Sequence, residues 1–325
     1  MRVSIEALGL YRRALETYSS KGFTQAACND TMRLCQQALR HDPAYLDAQF
    51  TDAYMRRNLA MERDPADTWQ DVANRVRAIL AKDDTHAAAL DQLAGFELDC
   101  NHNWKAFGEY SARCLAALPP VLEPGLRAFQ LRIAGRLEEA RAAQARFESN
   151  GLTNCDSFLL NISARWVDRQ HAANLIEIRR ALQVYPQNVD FWIYLAHSLV
   201  ALGDFDKGIA AINRAQALYK RQELTALLGC AYARMGPTNQ ARAVLQQLLD
   251  LDSTSQYTHP YFVARVYAAL GENPKALDWL EKAAEVRSES LLIPDGGGLR
   301  TDCYLDSLRD EPRYWQLCDR LGLGK

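Results

Sequence analysis

Apolar and polar positions along most of the chain repeat with the period of an amphipathic helix, and small residues recur within that pattern at fixed intervals. Turn glycines stand at Gly203, Gly236 and Gly271, about 34 residues apart. Five residues after such a turn there is again a small residue, as at Ala140, Gly208, Ala241 and Ala276. A second series occupies an equivalent position earlier in each unit, at Gly95, Ala128, Ile162, Ala196, Gly229 and Ala264. In the less regular units, larger residues replace the small ones at Phe107, Phe147, Ile162 and Asn174. These spacings predict pairs of short antiparallel helices that approach closely where the side chains are small.

The repeat has the length and several key residues of the tetratricopeptide repeat (TPR) family. The matching positions are Trp192-x2-Leu195-Ala196-x2-Leu199, Leu228-Gly229-x2-Tyr232, Ala241-x3-Leu245, Ala276-x3-Leu280 and the closing prolines Pro43, Pro119 and Pro186. In these residues the chain resembles the TPR family. The resemblance implies an all-α fold, a right-handed α-solenoid of stacked antiparallel helix pairs that ends in a C-terminal capping helix.

The units divide the chain into two parts. Residues 1–287 are predicted to form a TPR-like solenoid of about eight helix-pair repeats, irregular over 1–185 and regular over 186–287. Residues 288–325 are predicted to form a loop and a capping helix. Because one helix pair cannot bury its apolar face alone, stability is expected to come from stacking of neighbouring pairs.

Composition and charge argue against two classes of function, nucleic acid binding and membrane insertion. The chain has 38 basic and 40 acidic residues and a net charge of −2, so we expect no direct nucleic acid binding. The most apolar run, at 191–203, is too short to cross a bilayer, and no membrane insertion is expected. The eight cysteines show no metal-ligand spacing and are interpreted as reduced thiols of a cytoplasmic protein.

No catalytic or nucleotide-binding motif stands out, so the sequence predicts a protein that is not an enzyme and needs no cofactor or metal. The glycine run 296–298 is interpreted as a flexible linker. An alternative with less support is a hydrolase or transferase site within 288–303, which would use Asp295, Asp302 and Cys303.

The TPR resemblance also implies a concave groove lined by the first helix of each unit. Carried over position by position, it places these residues on the groove: Gln49, Arg56, Gln92, Phe96, Asp99, Phe129, Arg132, Asp156, Ser163, Trp166, Asp190, Ile193, His197, Glu223, Cys230, Tyr261 and Arg265. The rings among them are typical of anchors for a bound segment. For Phe96, Phe129 and Trp166 the alternative is that the ring fills the inside of a tightly curved superhelix.

The leading functional hypothesis is a protein–protein interaction module that binds a peptide or protein segment in the concave groove. The alternative is a regulatory or ligand-sensing TPR region of a larger bacterial transcriptional regulator or signalling protein. It is motivated by the segment 308–314, "LRDEPRY", which resembles the tail that closes many bacterial TPR regions. The stacking surfaces at the ends of such a solenoid also favour a homodimer.

Overall fold

The fold is seen in a computed structural model that describes residues 3–60, 65–236, 238–253, 259–288, 291–292 and 298–324. Within these residues the chain forms seventeen α-helices and no strand. The first sixteen helices, in chain order, are α1 (Ile5–Lys21), α2 (Gln25–His41), α3 (Leu46–Ala60), α4 (Pro65–Leu80), α5 (Ala87–Asp99), α6 (Trp104–Ala117), α7 (Glu123–Ile133), α8 (Leu137–Glu148), α9 (Cys155–Val167), α10 (His171–Val184), α11 (Val189–Ala201), α12 (Phe205–Leu218), α13 (Gln222–Met235), α14 (Thr238–Ser253), α15 (Pro260–Ala269) and α16 (Asn273–Glu285).

These sixteen helices form eight consecutive pairs, and successive pairs pack on one another. A short 3-10 helix (Cys303–Leu308) and α17 (Pro312–Arg320) follow the last pair. The prediction of an all-α solenoid of antiparallel helix pairs is confirmed by this arrangement. The division of the chain at residue 287 stays a prediction.

Local sequence signals determine where helices begin and where the chain turns between two helices. The side chains of Ser4 and Thr24 accept hydrogen bonds from the backbone N–H three residues on, which caps α1 and α2. The turns between paired helices use glycine where φ is positive, as at Gly203 and Gly271. Each helix is therefore bounded by contacts within its own few residues.

The small residues lie at the helix contacts, as predicted. Ala196, Ala264 and Ala276 are completely buried. A Cβ added to Gly208 would lie 2.8 Å from the Cγ2 of Val200, which is closer than two carbons can pack. Alanine and glycine at these positions let the backbones of neighbouring helices approach.

In the irregular units the paired helices also pack closely, but large and small side chains occupy each other's positions. Phe147 stands where the family has a small residue, and it is fully buried. Its ring lies against Gly125, where an added Cβ would come within 2.8 Å of it. Asn174, another large replacement, donates from its side chain to the carbonyl of Ile162 at 3.0 Å. In these units a large residue stands at the usual position of a small one and packs against a small residue of the partner helix, as Phe147 does against Gly125.

No helix in the described ranges has both the length and the apolar character that a membrane crossing requires. All eight cysteines are free thiols.

Candidate functional site

The first helices of successive pairs form the inner layer of the solenoid. From α7 to α15, each first helix contacts the first helix of the next pair. Two other parts of the chain pack on this layer. We call residues 298–324 the C-terminal segment and residues 18–23, where α1 ends and the chain turns toward α2, the N-terminal loop. Together they decide how much of the concave face is open.

The C-terminal segment is anchored on the inner layer through Asp302. The carboxylate is completely buried and forms an ion pair with Arg265, with 3.1 Å between Oδ2 and Nε. It also accepts a hydrogen bond from the Tyr261 hydroxyl at 2.7 Å. Burial alone would lower the pKa of Arg265, but the charge of Asp302 together with Tyr261, Cys230 and Tyr304 raises that pKa above its usual value. Two predicted groove residues are thus bound by the chain itself.

Tyr304 fills the space beside this ion pair. Its ring lies under the guanidinium of Arg265, 4.4 Å from the ring centroid, and 6.2 Å from the ring of Trp166. Its hydroxyl lies 3.3 Å from Nδ1 of His197, and Nε2 of His197 lies 3.2 Å from Glu223. Burial lowers the pKa of His197 and favours the neutral ring. A neutral ring with its proton on Nε2 satisfies both contacts, accepting from Tyr304 and donating to Glu223.

Further contacts hold the C-terminal segment across the turns of earlier units. Arg169 forms a bidentate ion pair with Asp306, both distances being 2.6 Å. The indole N–H of Trp104 donates to the carbonyl of Leu321 at 2.9 Å. The segment therefore reaches from α15 back to the start of α6, and it covers the inner layer instead of only the end of the last pair.

The N-terminal loop closes a second part of the concave face. The backbone N–H of Phe23 donates to Asp190 at 3.1 Å, and the side chain of Asn188 donates to the carbonyl of Ser19 at 2.9 Å. Arg221 binds the loop as well, donating to the carbonyl of Phe23 at 2.7 Å while lying 3.4 Å from Asp190. The first helix pair is thereby tied to units more than 130 residues away.

The groove residues predicted from sequence fall into two sets. Ten of the fourteen principal candidates are buried: Gln92, Phe96, Asp99, Arg132, Ser163, Trp166, Asp190, His197, Tyr261 and Arg265. The other four, Gln49, Arg56, Phe129 and Glu223, are partly exposed. Of the further predicted positions, Ile193 and Cys230 are buried and Asp156 is exposed.

In α3 and α5 the predicted residues contact other side chains of the solenoid. Arg56 pairs with Asp52 of its own helix at 2.8 Å, and the ring of Phe96 lies 6.1 Å from that of Trp69 in α4. Gln49 accepts a hydrogen bond from Lys82 at the end of the second pair. One position along a helix turns a side chain by about 100°, so the side that these predicted residues face depends closely on the register assumed for their units.

Tyr54 of α3 and Asp91 of α5 lie on the inner side instead, and the sequence reasoning missed both. Burial raises the pKa of Tyr54 to about 12, and the carboxylates of Asp91, Asp156 and Asp190 add to this increase while Arg57 opposes it. Carboxyl groups of α5, α9 and α11 are therefore near enough to influence the phenol of Tyr54 electrostatically. A signal in the sequence was available, because Tyr54 follows Phe50 by one helical turn and the two rings stack.

Beside the two covered parts, the inner surface of α3, α5, α7 and α9 is partly open, and Phe23 of the N-terminal loop packs edge-on against Tyr54 at its border, with 5.8 Å between the ring centroids. We call this surface the open half-groove and define it by Tyr54, Asp91, Phe129, Asp156 and Leu160, all at least partly exposed. Leu160 follows Asp156 by one turn of α9, and it lines a crevice together with Phe129 of α7. Gln130, the neighbour of Phe129 in α7, donates to Asp91 of α5, which links these two helices.

The two carboxyl groups of the open half-groove are incompletely solvated. Asp156 is exposed to solvent, yet desolvation by the surrounding protein raises its pKa. Desolvation also raises the pKa of Asp91, although a hydrogen bond from Gln130 and the charge of Arg57 oppose the increase.

Two of the three residues of the enzymatic alternative, Asp302 and Cys303, are buried in this arrangement. Burial and the adjacent Asp302 raise the pKa of the Cys303 thiol to about 11, which keeps it protonated at neutral pH. Asp302 is itself bound to Arg265 and Tyr261. Asp295 and the glycines at 296 and 297 lie outside the described residues.

We expect the free energy of unfolding to depend on pH through His171, which lies in the covered part of the groove. The centroid of its ring is 4.7 Å from that of Trp166. Burial lowers the pKa of His171 to about 4, and the charge of Arg169 adds to this. An unfolded histidine titrates near pH ~6.5. Between these values the unfolded chain binds more protons, so the free energy of unfolding will fall as the pH is lowered from about 6.5 to 4.

The measurement is the melting temperature from pH 7 to 4 for the wild type and for His171→Phe, which keeps a ring against Trp166 but cannot titrate. The variant should show a smaller decrease than the wild type over this range. Parallel curves would show that His171 is not the group responsible.

No protein-family model matches the chain, and no curated protein matches it. Among solved structures the chain is similar to a TPR protein from Parabacteroides merdae, with 12% identity over 90% of this chain and 99% of that one and a TM-score of 0.35. It is also similar to a thermophilic TPR protein of Thermus thermophilus, with 14% identity over 86% and 98% of the two chains and a TM-score of 0.23. At these TM-scores neither structure carries weight by itself. The eight helix pairs described above, whose first helices begin 32 to 41 residues apart, give the chain a TPR-like repeat fold.

Proposed function

We propose that this chain is a non-enzymatic, cytoplasmic protein–protein interaction module that binds a segment of a partner protein in its open half-groove. The observation that supports the proposal is the division of the concave face. One part already holds a non-repeat segment of the chain through Asp302 and Tyr304, while the part formed by α3, α5, α7 and α9 keeps exposed rings and carboxyl groups. A TPR-like solenoid offers such a surface for recognition of an extended or helical segment.

The open half-groove has the composition of a binding surface. Aromatic rings carry much of the binding energy in protein interfaces, and the partly exposed Tyr54 and Phe129 lie on one surface. Trp166, by contrast, lies against Tyr304 and is taken as part of the covered half. We therefore place the anchor for a partner at Phe129 and not at Trp166.

The test uses the full chain, immobilised, with lysate of its source organism. Proteins retained by the wild type are identified by mass spectrometry, and the affinity of each purified candidate is then measured. Phe129→Ala should weaken binding of the true partner about tenfold or more, because truncation of an aromatic anchor costs on the order of 2 kcal/mol. Ile176→Ala, which removes a side chain 63% exposed on the second helix α10, should leave the affinity unchanged.

Circular dichroism and melting curves establish that both variants remain folded. If every purified candidate binds the wild type and Phe129→Ala with the same affinity, the open half-groove is not the binding surface and the proposal fails.

A further inference from the structure

The N-terminal loop reaches the starts of three first helices, α9, α11 and α13. Phe23 makes the hydrogen bonds to α11 and α13 given above. The backbone carbonyl of Ser19 accepts hydrogen bonds from the side chain of Asn188 at 2.9 Å and from the Cys155 thiol at 3.6 Å. We call the contacts of residues 19–23 with these helix starts the N-terminal joint. The joint is held by hydrogen bonds, for which water can substitute when the two surfaces separate.

The apolar core is divided on the two sides of this joint. Buried side chains of α1, α2 and the start of α3, among them Ala14, Leu34 and Tyr45, form a cluster of their own. A second cluster lies in α4 and α5, and the main cluster begins at Ala94 and includes buried residues of α9, α11 and α13. Among the described residues, no hydrophobic side chain of α1, α2 or α3 belongs to the main cluster or packs against it. The burial of apolar surface, which dominates folding, therefore does not hold the joint closed.

The closed joint nevertheless fits closely and excludes water. Asn188 is 1% exposed and Cys155 is 3% exposed. A Cβ added to Gly22 would lie 2.7 Å from Oδ1 of Asn188, so the loop approaches α11 as closely as a backbone without a side chain can. The starts of these helices are thus covered by a specific structure that hydrogen bonds alone secure.

We infer that α1, α2 and α3 form a lid over the starts of α9, α11 and α13, and that this lid opens by breaking the N-terminal joint while the helix pairs stay folded. A region that few apolar contacts hold in place opens at a lower free energy than the whole molecule unfolds. The boundaries between separately packed clusters are the places where the solenoid can bend to allow it. The inference does not depend on the proposed function, but an open lid widens the open half-groove, because α3 lines both.

Cys155 reports the opening, because its thiol lies under Ser19. Burial raises the pKa of Cys155 and of the completely buried Cys230 in α13 to about 12, so neither thiol reacts readily at pH ~8 while it is covered. The folded full chain is treated with N-ethylmaleimide, and mass spectrometry of peptides follows the alkylation of each cysteine. We expect Cys155 to react at least about tenfold faster than Cys230, with little dependence on urea, whereas the rate of Cys230 should rise steeply with urea.

A substitution in the joint should act on Cys155 alone. Arg221→Gln removes the hydrogen bond to the carbonyl of Phe23 and should raise the alkylation rate of Cys155 about tenfold, with the rate of Cys230 unchanged. The matched control is Arg165→Gln, which removes an ion pair of similar exposure, with Glu148 at 3.0 Å, from the other end of α9. It should leave the rate of Cys155 unchanged. Melting curves establish that both variants remain folded.

Three results would contradict the lid. Equal rates and equal urea dependence of Cys155 and Cys230 would show that the joint opens only when the whole chain unfolds. An unchanged rate of Cys155 in Arg221→Gln would show that the joint does not control its exposure. An equal increase in Arg165→Gln would show that Cys155 becomes exposed through α9 itself and not through the lid.

Discussion

Asp302→Ala will lower the free energy of unfolding by about 3–5 kcal/mol, the range observed when one partner of a buried ion pair is removed. Asp302 and Arg265 are both almost completely buried, so the substitution leaves a guanidinium in the interior with no counter-charge. The Tyr261 hydroxyl loses its acceptor at the same time. The measurement is equilibrium urea denaturation followed by circular dichroism.

The matched control lies in the same segment. Asp306 pairs with Arg169 through two short contacts, but both side chains are more than 40% exposed, so Asp306→Ala should cost less than about 1 kcal/mol. Asp302→Asn should fall between the two alanine variants, because it keeps an acceptor for Tyr261 but removes the charge. If Asp302→Ala and Asp306→Ala cost the same small amount, the buried ion pair does not hold the C-terminal segment in place.

Gly22→Ala will lower the free energy of unfolding by about 2–4 kcal/mol, through backbone strain together with a steric clash. Gly22 has a φ of 65° and a ψ of −158°, a combination that residues with a Cβ rarely adopt. An added Cβ would lie 2.4 Å from Oδ2 of Asp190, the oxygen that accepts the hydrogen bond from Phe23. The same denaturation experiment measures the loss.

Gly203→Ala separates the strain from the clash. Gly203 also has a positive φ, 81°, but no atom lies within 4 Å of its added Cβ, so this variant should show only the cost of the strain, about 1–3 kcal/mol. The excess in Gly22→Ala then reports the contact between the N-terminal loop and α11. Equal losses in the two variants would show that this contact contributes nothing to stability.

These two predictions concern the same property of the molecule, which is a concave face closed in part by its own two ends. A solenoid curves by a small rotation at each repeat, and its inner layer would otherwise be exposed along its whole length. Here a buried ion pair and an aromatic ring cover one part, and a glycine-dependent loop covers another. The open half-groove is the part that we propose for a partner.

The helices themselves were largely predictable, because their signals are local. Ala264 and Ala276 marked close helix contacts, and Gly203 and Gly271 marked turns, since each acts through neighbours in its own unit or the next. Of the residues that define the open half-groove, the unit register had named Asp156 and Phe129 but not Tyr54 and Asp91, because the side that a helical residue faces changes with a shift of one position.

The amino-acid sequence by itself determined that short helices would pair and stack, since apolar periodicity, capping side chains and small residues act over a few residues. Only the tertiary structure decided which groove residues are covered. That outcome depends on contacts such as Phe23 with Asp190 and Trp104 with Leu321, between residues 167 and 217 positions apart. No local pattern encodes these contacts, because they form only after the curvature of many repeats has brought distant surfaces together.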